Sequence, residues 1–278
     1  MRFVKTEDEI TRIQSVHAKC HQLRMKTLTV YFETDPAVIA AVLPPPLKPT
    51  PNPVAIASVG EVGNSNCVGP YEYASLGVKA QYGDIVGVYY LTTPVSTPEA
   101  MTFGRELYGD PRKMAKIIFE EQDEHVWGSA ERNEIRFLSM RGRCDHPAPV
   151  GRQETSAFHF KFQPRPDGCG FDSPPQLVHV VGDLTVVQAR RGRGEVVFRD
   201  APHDPVIDIP VTQVLDGVYT QGHAYTSGRI LCDVDADAFL PYAFIGTDSA
   251  EVMSEGTVLH AQASRRTREG KGEWRKTA

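Results

Sequence analysis

Lys26-Thr27-Leu28-Thr29-Val30-Tyr31-Phe32-Glu33-Thr34 alternates the apolar Leu28, Val30 and Phe32 with Thr27, Thr29 and Tyr31. A period of two puts the apolar side chains on one face, the pattern of a strand with one buried side. Asp35-Pro36 follows as a helix cap with proline at the first helical position, so Ala37 to Leu43 reads as a short helix stopped by Pro44, Pro45 and Pro46. Strand signals resume at Val54 to Val59.

Further out, Leu76 to Tyr82 and Ile85 to Leu91 read as a hairpin turned at Gly83-Asp84, where glycine supplies the positive φ of a tight turn. Thr97-Pro98 repeats the capped helix start, and Glu99 to Tyr108 reads as a helix ended by Gly109 and Pro111. Arg112 to Phe119 reads as extended, as do Glu134 to Met140, Phe158 to Phe162, Leu184 to Arg190 and Glu195 to Arg199, the last two separated by a turn at Arg191-Gly192-Arg193-Gly194. The expected class is therefore mainly β (α+β): an antiparallel sheet, closed or strongly curved, with a few flanking helices. Closure removes the exposed strand edges that invite aggregation.

The chain has 278 residues, 41% hydrophobic and 23% charged, enough to bury a substantial core as one large domain. The expected organisation is an N-terminal segment over 1–22, a single domain over 23–263, and a basic tail over 264–278 with too little apolar surface to order itself. A net charge of -5 gives no reason to expect nucleic acid or an anionic membrane, and points instead to a small-molecule substrate. The opening residues lack the apolar core of a secretory signal, and no run of about 18 apolar residues offers a membrane span, so a cytoplasmic protein is expected. Five scattered cysteines, Cys20, Cys67, Cys144, Cys169 and Cys232, suggest neither a disulfide framework nor a zinc site. Nine scattered histidines, with no HExxH, and no phosphate-binding or dinucleotide-binding glycine loop imply no metal and no cofactor.

The chemistry is concentrated in Gly104-Arg105-Glu106-Leu107-Tyr108-Gly109-Asp110-Pro111-Arg112-Lys113: a helix, a glycine turn, a proline, and two adjacent cations entering an apolar strand. Such cations are costly at a buried strand unless used. The segment closely resembles the acetoacetate decarboxylase signature, in which G-R-E-L is followed at this spacing by a proline and two lysines. Tyr31 to Leu47, Gly69-Pro70-Tyr71-Glu72 and Asp204-Pro205-Val206-Ile207-Asp208-Ile209-Pro210-Val211 resemble further segments of that family, and order and spacing agree from about Leu23 to Asp233.

The resemblance implies an antiparallel β-barrel or cone with flanking helices, an enclosed apolar pocket, assembly into homo-oligomers, and a first lysine that forms a Schiff base with a keto acid. In this chain the register places Arg112 at the Schiff-base position and Lys113 at the second lysine. A guanidinium stays protonated and forms no imine. Consecutive strand residues face opposite ways, so only one of the two should enter a given pocket; parity puts Lys113 with Ala115, Ile117 and Phe119, whereas register favours Arg112. Glu72 stands one residue before an expected carboxylate position that Tyr73 occupies; Ser58 falls at another, and Met25, beside Arg24, at an expected arginine.

Two enzyme readings follow. In the first, a decarboxylase-like carbon-carbon lyase acts on an oxo-acid or other enolisable carbonyl compound, with Lys113 as the imine-forming amine, Arg112 binding a carboxylate or lowering the lysine pKa, and Glu72 or Glu106 positioning. In the second, Arg112 stabilises an enolate in an isomerase, dehydratase, aldolase or cyclase of secondary metabolism. A third reading is a non-catalytic small-molecule-binding protein that has lost the lysine.

Overall fold

The computed structural model describes residues 2–246; the tail expected at 264–278 lies outside them. The N-terminal segment carries a helix, α1 (Glu7–Ala18), opened by a capping box between Thr6 and Glu9, and it buries none of its residues. Strand β1 runs from Cys20 to Glu33, with Leu28, Val30 and Phe32 fully buried as the alternation predicts. Asp35 then caps α2 (Pro36–Val42), its Oδ1 accepting from the Ala37 amide at 2.8 Å. After the two-residue β2 (Lys48–Pro49) come β3 (Val54–Ser65), β4 (Tyr71–Tyr82) and β5 (Ile85–Thr92). The expected hairpin joins the last two, with Gly83 at φ +56°.

Helix α3 (Pro98–Tyr108) is followed by β6 (Lys116–Gln122), β7 (His125–Arg132), β8 (Ile135–Pro147) and β9 (Gly151–Lys161). Two long strands, β10 (Gln176–Phe198) and β11 (Gln213–Asp233), precede the single turn of α4 (Ala236–Phe239). Pairing runs β11-β1-β3-β4-β5-β9-β10, and β10 pairs again with β11, so these seven strands close a ring. All contacts in the ring are antiparallel except β5 with β9. The far half of β10 leaves β9 and pairs with β8, which continues through β7 to β6 as a wing on the ring.

Two expectations change. Arg191 to Gly194 is no turn: β10 passes through it unbroken, its pairing with β9 ending at Val186 and that with β8 beginning at Arg190, with a register shift against β8 between Arg191 and Arg193. The glycines are there for close approach, since a Cβ on Gly192 would lie 2.1 Å from the Arg143 carbonyl oxygen and one on Gly194 would meet Val30 and Gly217. The extended segment expected at Arg112 becomes a regular strand only at Lys116, because residues 110–115 are held by isolated bonds to the β5–α3 link, Val95 N to Lys113 O and Ala115 N to Val95 O. Among the described residues no helix is long and apolar enough to cross a membrane.

Candidate active site at the end of the ring

Helix α3 begins with Thr97 accepting from Ala100 N and Pro98 in the first turn, and it ends in a left-handed glycine, Gly109, at φ +75°. The Gly109 amide donates to Arg105 O and that of Asp110 to Gly104 O, both at 3.1 Å, closing the helix end. Glycine is required here twice over, because a Cβ would also lie 2.4 Å from Phe160 O. This closure turns the chain back, and Arg112 folds along the helix it has just left. Its Nη1 donates to Ala100 O at 2.6 Å, and its Nε occupies space that a Cβ on Gly104 would enter at 2.2 Å.

Asp110 holds the guanidinium from the other side, its Oδ2 accepting from Nε at 2.7 Å. Its Oδ1 accepts from Thr93 Oγ1 at 2.6 Å and lies 3.7 Å from Nδ1 of buried His159. The Tyr71 ring lies under the guanidinium at 5.9 Å, with its hydroxyl accepting from Gln22 Nε2. Tyr90 stacks on His159 at 5.9 Å. Burial would raise the Asp110 pKa, but Arg112, His159 and the Thr93 hydrogen bond outweigh it, so the carboxyl titrates below its ordinary range. Burial pulls His159 down; Asp110 opposes this and Arg112 adds to it, leaving the imidazole neutral at neutral pH.

This cluster separates two hollows. An inner cavity of about 60 Å³ is lined by Arg112, Tyr71 and residues from five further ring strands, including Cys20, Ser65, Val180 and Thr226. It has room for on the order of four water molecules, and its lining mixes charged and hydroxyl groups with the apolar wall that the family likeness implies. Outside it lies a cleft of about 410 Å³ between α3, β9 and the segment after β11. Asp110 and His159 line both hollows.

Lys113 points elsewhere. Its Nζ donates to His203 O at 2.5 Å and lies 3.6 Å from Asp204 Oδ1, while Arg132 Nη1 bonds Asp204 Oδ2 at 2.6 Å. Lys113 is buried but lines neither the inner cavity nor the cleft.

The other expected residues are dispersed. Because strand neighbours face opposite ways, Tyr71 on the cavity wall sends Glu72 to the far face, where Ser96 Oγ donates to Oε2 at 2.5 Å. Tyr73 shares the Tyr71 face and its hydroxyl bonds Thr27 Oγ1 at 2.6 Å. Ser58, buried on β3, bonds Thr29 Oγ1 at 3.1 Å. Met25 joins Val62, Tyr71, Val95 and Ala100 in the apolar cluster behind Arg112. Arg24 sits at a bulge in β1 with φ +51° and reaches out to Gly63 O, whereas exposed Glu106 lines the outer cleft.

Sequence reasoning missed Asp110, His159, Thr93 and Tyr71 as partners of Arg112. Asp110 stood inside the quoted signature, two residues before Arg112. His159 had a weaker signal: between Phe158 and Phe160 in a strand, it faces opposite to two core aromatics.

The family model of acetoacetate decarboxylase matches residues 10–234. The acetoacetate decarboxylase of Burkholderia multivorans is 23% identical over 195 residues, covering 68% of this chain and 78% of the relative, and that of Acidiphilium cryptum is 22% identical over 197 residues, with the same two coverages. Among solved structures, an acetoacetate decarboxylase from Legionella pneumophila superposes with a TM-score of 0.70 at 20% identity, covering 77% of this chain and 87% of that one. An acetoacetate decarboxylase-like enzyme from Sphingomonas wittichii does so with a TM-score of 0.69 at 20% identity, covering 78% and 94%. The enduracididine biosynthesis enzyme MppR, complexed with the condensation product of pyruvate and imidazole 4-carboxaldehyde, gives 0.68 at 16% identity, covering 78% and 90%. These likenesses establish the fold, and the family includes decarboxylases as well as other enzymes. With more than three quarters of its length matched in one continuous span, this chain belongs to the acetoacetate decarboxylase family.

Proposed function

We propose that this chain is an enolate-forming enzyme of the carbon-carbon lyase type, acting on a small oxo-acid without a Schiff base. The observation that carries the reading is the parting of the two adjacent cations: Arg112 lines the inner cavity, whereas Lys113 is turned to His203 and Asp204. A guanidinium cannot replace the amine as a nucleophile, but it can hold an oxyanion.

In this reading Arg112 and the Tyr71 hydroxyl hold the oxygen on which negative charge develops. Such fixed donors are worth most in a site that excludes water. Neutral His159 takes the proton from, or returns it to, the carbon next to the carbonyl, with Asp110 Oδ1 facing its Nδ1 at 3.7 Å, beyond hydrogen-bond length. Loss of carbon dioxide from a β-oxo acid, retro-aldol cleavage, dehydration and isomerisation share that enolate, so the same residues serve each.

The test is proton exchange at C3 of 2-oxobutyrate in D2O, followed by proton NMR. The protein should accelerate exchange, Arg112→Ala should slow it by about 10²–10³, and borohydride should leave no adduct in the intact mass. An adduct mapped to Lys113 and retained in Arg112→Ala would overturn the reading. Oxo-acid binding without exchange would instead favour a non-catalytic binding protein.

A further inference from the structure

The outer cleft holds several times the volume of the inner cavity, and the chemistry proposed above uses only its inner rim, at Asp110 and His159. Its walls have two characters. Phe160, Phe162, Phe239 and Tyr242 form an aromatic face, in which Phe160 and Phe239 stack at 4.7 Å and Phe162 meets Phe239 edge-on at 5.3 Å. Arg105 and Lys161 also line it, and among the described residues neither makes an ion pair or a side-chain hydrogen bond; Glu106 is the one further charge outside the Asp110 cluster. Two cations against one carboxylate leave a net positive wall beside an aromatic one.

From this we infer that the cleft is a subsite for the tail of the substrate, and that the tail is a planar aromatic group carrying an acidic substituent. The inference rests on the oxo-acid reading and names the substrate class for it. The inner cavity admits a carboxylate with its neighbouring carbonyl and little more, and Asp110 and His159 line both hollows, so the cleft is the adjoining space to which the tail of a larger substrate is assigned. An aromatic ring there gains contacts with half-buried Phe162 and Tyr242, which buried Phe160 and Phe239 back. The acidic group meets Arg105 and Lys161, where a guanidinium suits a carboxylate by paired hydrogen bonds.

Calorimetry with three acids tests this: pyruvate, phenylpyruvate and 4-carboxyphenylpyruvate, on the full chain. The ring should tighten binding at least about tenfold over pyruvate, and the added carboxylate should tighten it again. Arg105→Ala and Lys161→Ala should remove the second gain and Phe162→Ala the first, with pyruvate binding unchanged in all three. Unchanged pyruvate binding also verifies that each variant is folded. If the three acids bind alike, or if both gains survive these substitutions, the inference is wrong. A gain seen only after removal of residues 247–278, or one that shrinks as protein concentration rises, would give the cleft to the chain's own terminus or to a second copy, and equally overturns it. Arg112→Ala separates the two ideas: pyruvate binding that survives this change removes the oxo-acid reading, while the ring and carboxylate increments still report on the cleft.

Discussion

Arg112 and Lys113 are consecutive residues that bond in different parts of the molecule: the guanidinium to Asp110 and to the Ala100 carbonyl, the ammonium to the His203 carbonyl beside Asp204. The first faces a cavity within the ring, and the second ties the segment before β6 to the D-P-x-x-D-I-P-V segment and, through Asp204, to Arg132 on β7. That gives the second motif a structural use.

Lys113 should therefore matter for stability and Arg112 for chemistry. Lys113→Met leaves Asp204 its bond from Arg132, so the expected cost is about 2 kcal/mol. Asp204→Asn removes the carboxylate that both buried Lys113 and half-buried Arg132 face and should cost more, about 3–5 kcal/mol. Urea unfolding midpoints give the order, and proton exchange by Lys113→Met should stay near wild type. Loss of exchange with intact stability would put Lys113 back in the chemistry.

Gly104→Ala should lower activity through Arg112 without touching Lys113. Alanine favours a helix interior by about 1 kcal/mol over glycine, yet its Cβ would occupy the position of the Arg112 guanidinium. The displaced side chain loses its alignment with Asp110 and Ala100 O, so exchange should fall about tenfold or more. The thermal unfolding midpoint should fall as well, because the loosened buried Arg112–Asp110 pair outweighs the helix gain. An unchanged rate would mean that the guanidinium is not where the reaction needs it.

Local rules made much of the fold readable. Asp35-Pro36 and Thr97-Pro98 start helices where capping chemistry says they should, Gly109 stops one, and the alternation at Leu28, Val30 and Phe32 marks the buried face of β1. Ring closure was legible only as a tendency, since it depends on β10 pairing with β9, β8 and β11 over long separations. Arg191 to Gly194 misled for a physical reason: glycine serves a turn and a close strand crossing equally well, and only the partner strands distinguish them. The site divided along the same line. Arg112 and Asp110 are neighbours in sequence and could be read together, whereas Thr93, Tyr71 and His159 reach them only through the closed sheet.

The two uses of glycine, close approach and positive φ, should differ in what alanine costs. Gly192→Ala drives a Cβ against the Arg143 carbonyl within a paired strand and should destabilise by about 2–4 kcal/mol. At Gly168, with φ +78° and open space around it, only backbone strain opposes alanine, about 1 kcal/mol. Denaturant titration of both variants checks the order; equal costs would restore the turn interpretation of Arg191 to Gly194.

The pH dependence follows from His159. A base must be neutral to take a proton, so exchange should fall on the acid side with a midpoint below the ordinary histidine value of about 6.5, because burial outweighs Asp110. His159→Gln should remove that limb together with most of the rate. Asp110→Asn removes the one anion that raises the imidazole pKa and leaves Arg112, which lowers it, so the limb should move to still lower pH while the loosened guanidinium costs rate. A limb that moved upward would contradict the assigned contact. Stability carries the same signature: His159 is depressed in the folded chain, so between its folded value and about 6.5 the unfolded chain binds the additional proton. Stability from this group is thus intact above that window and declines as pH falls through it. His159→Gln should flatten that decline, and unfolding midpoints measured across the window would detect the difference even if the catalytic role of His159 were mistaken.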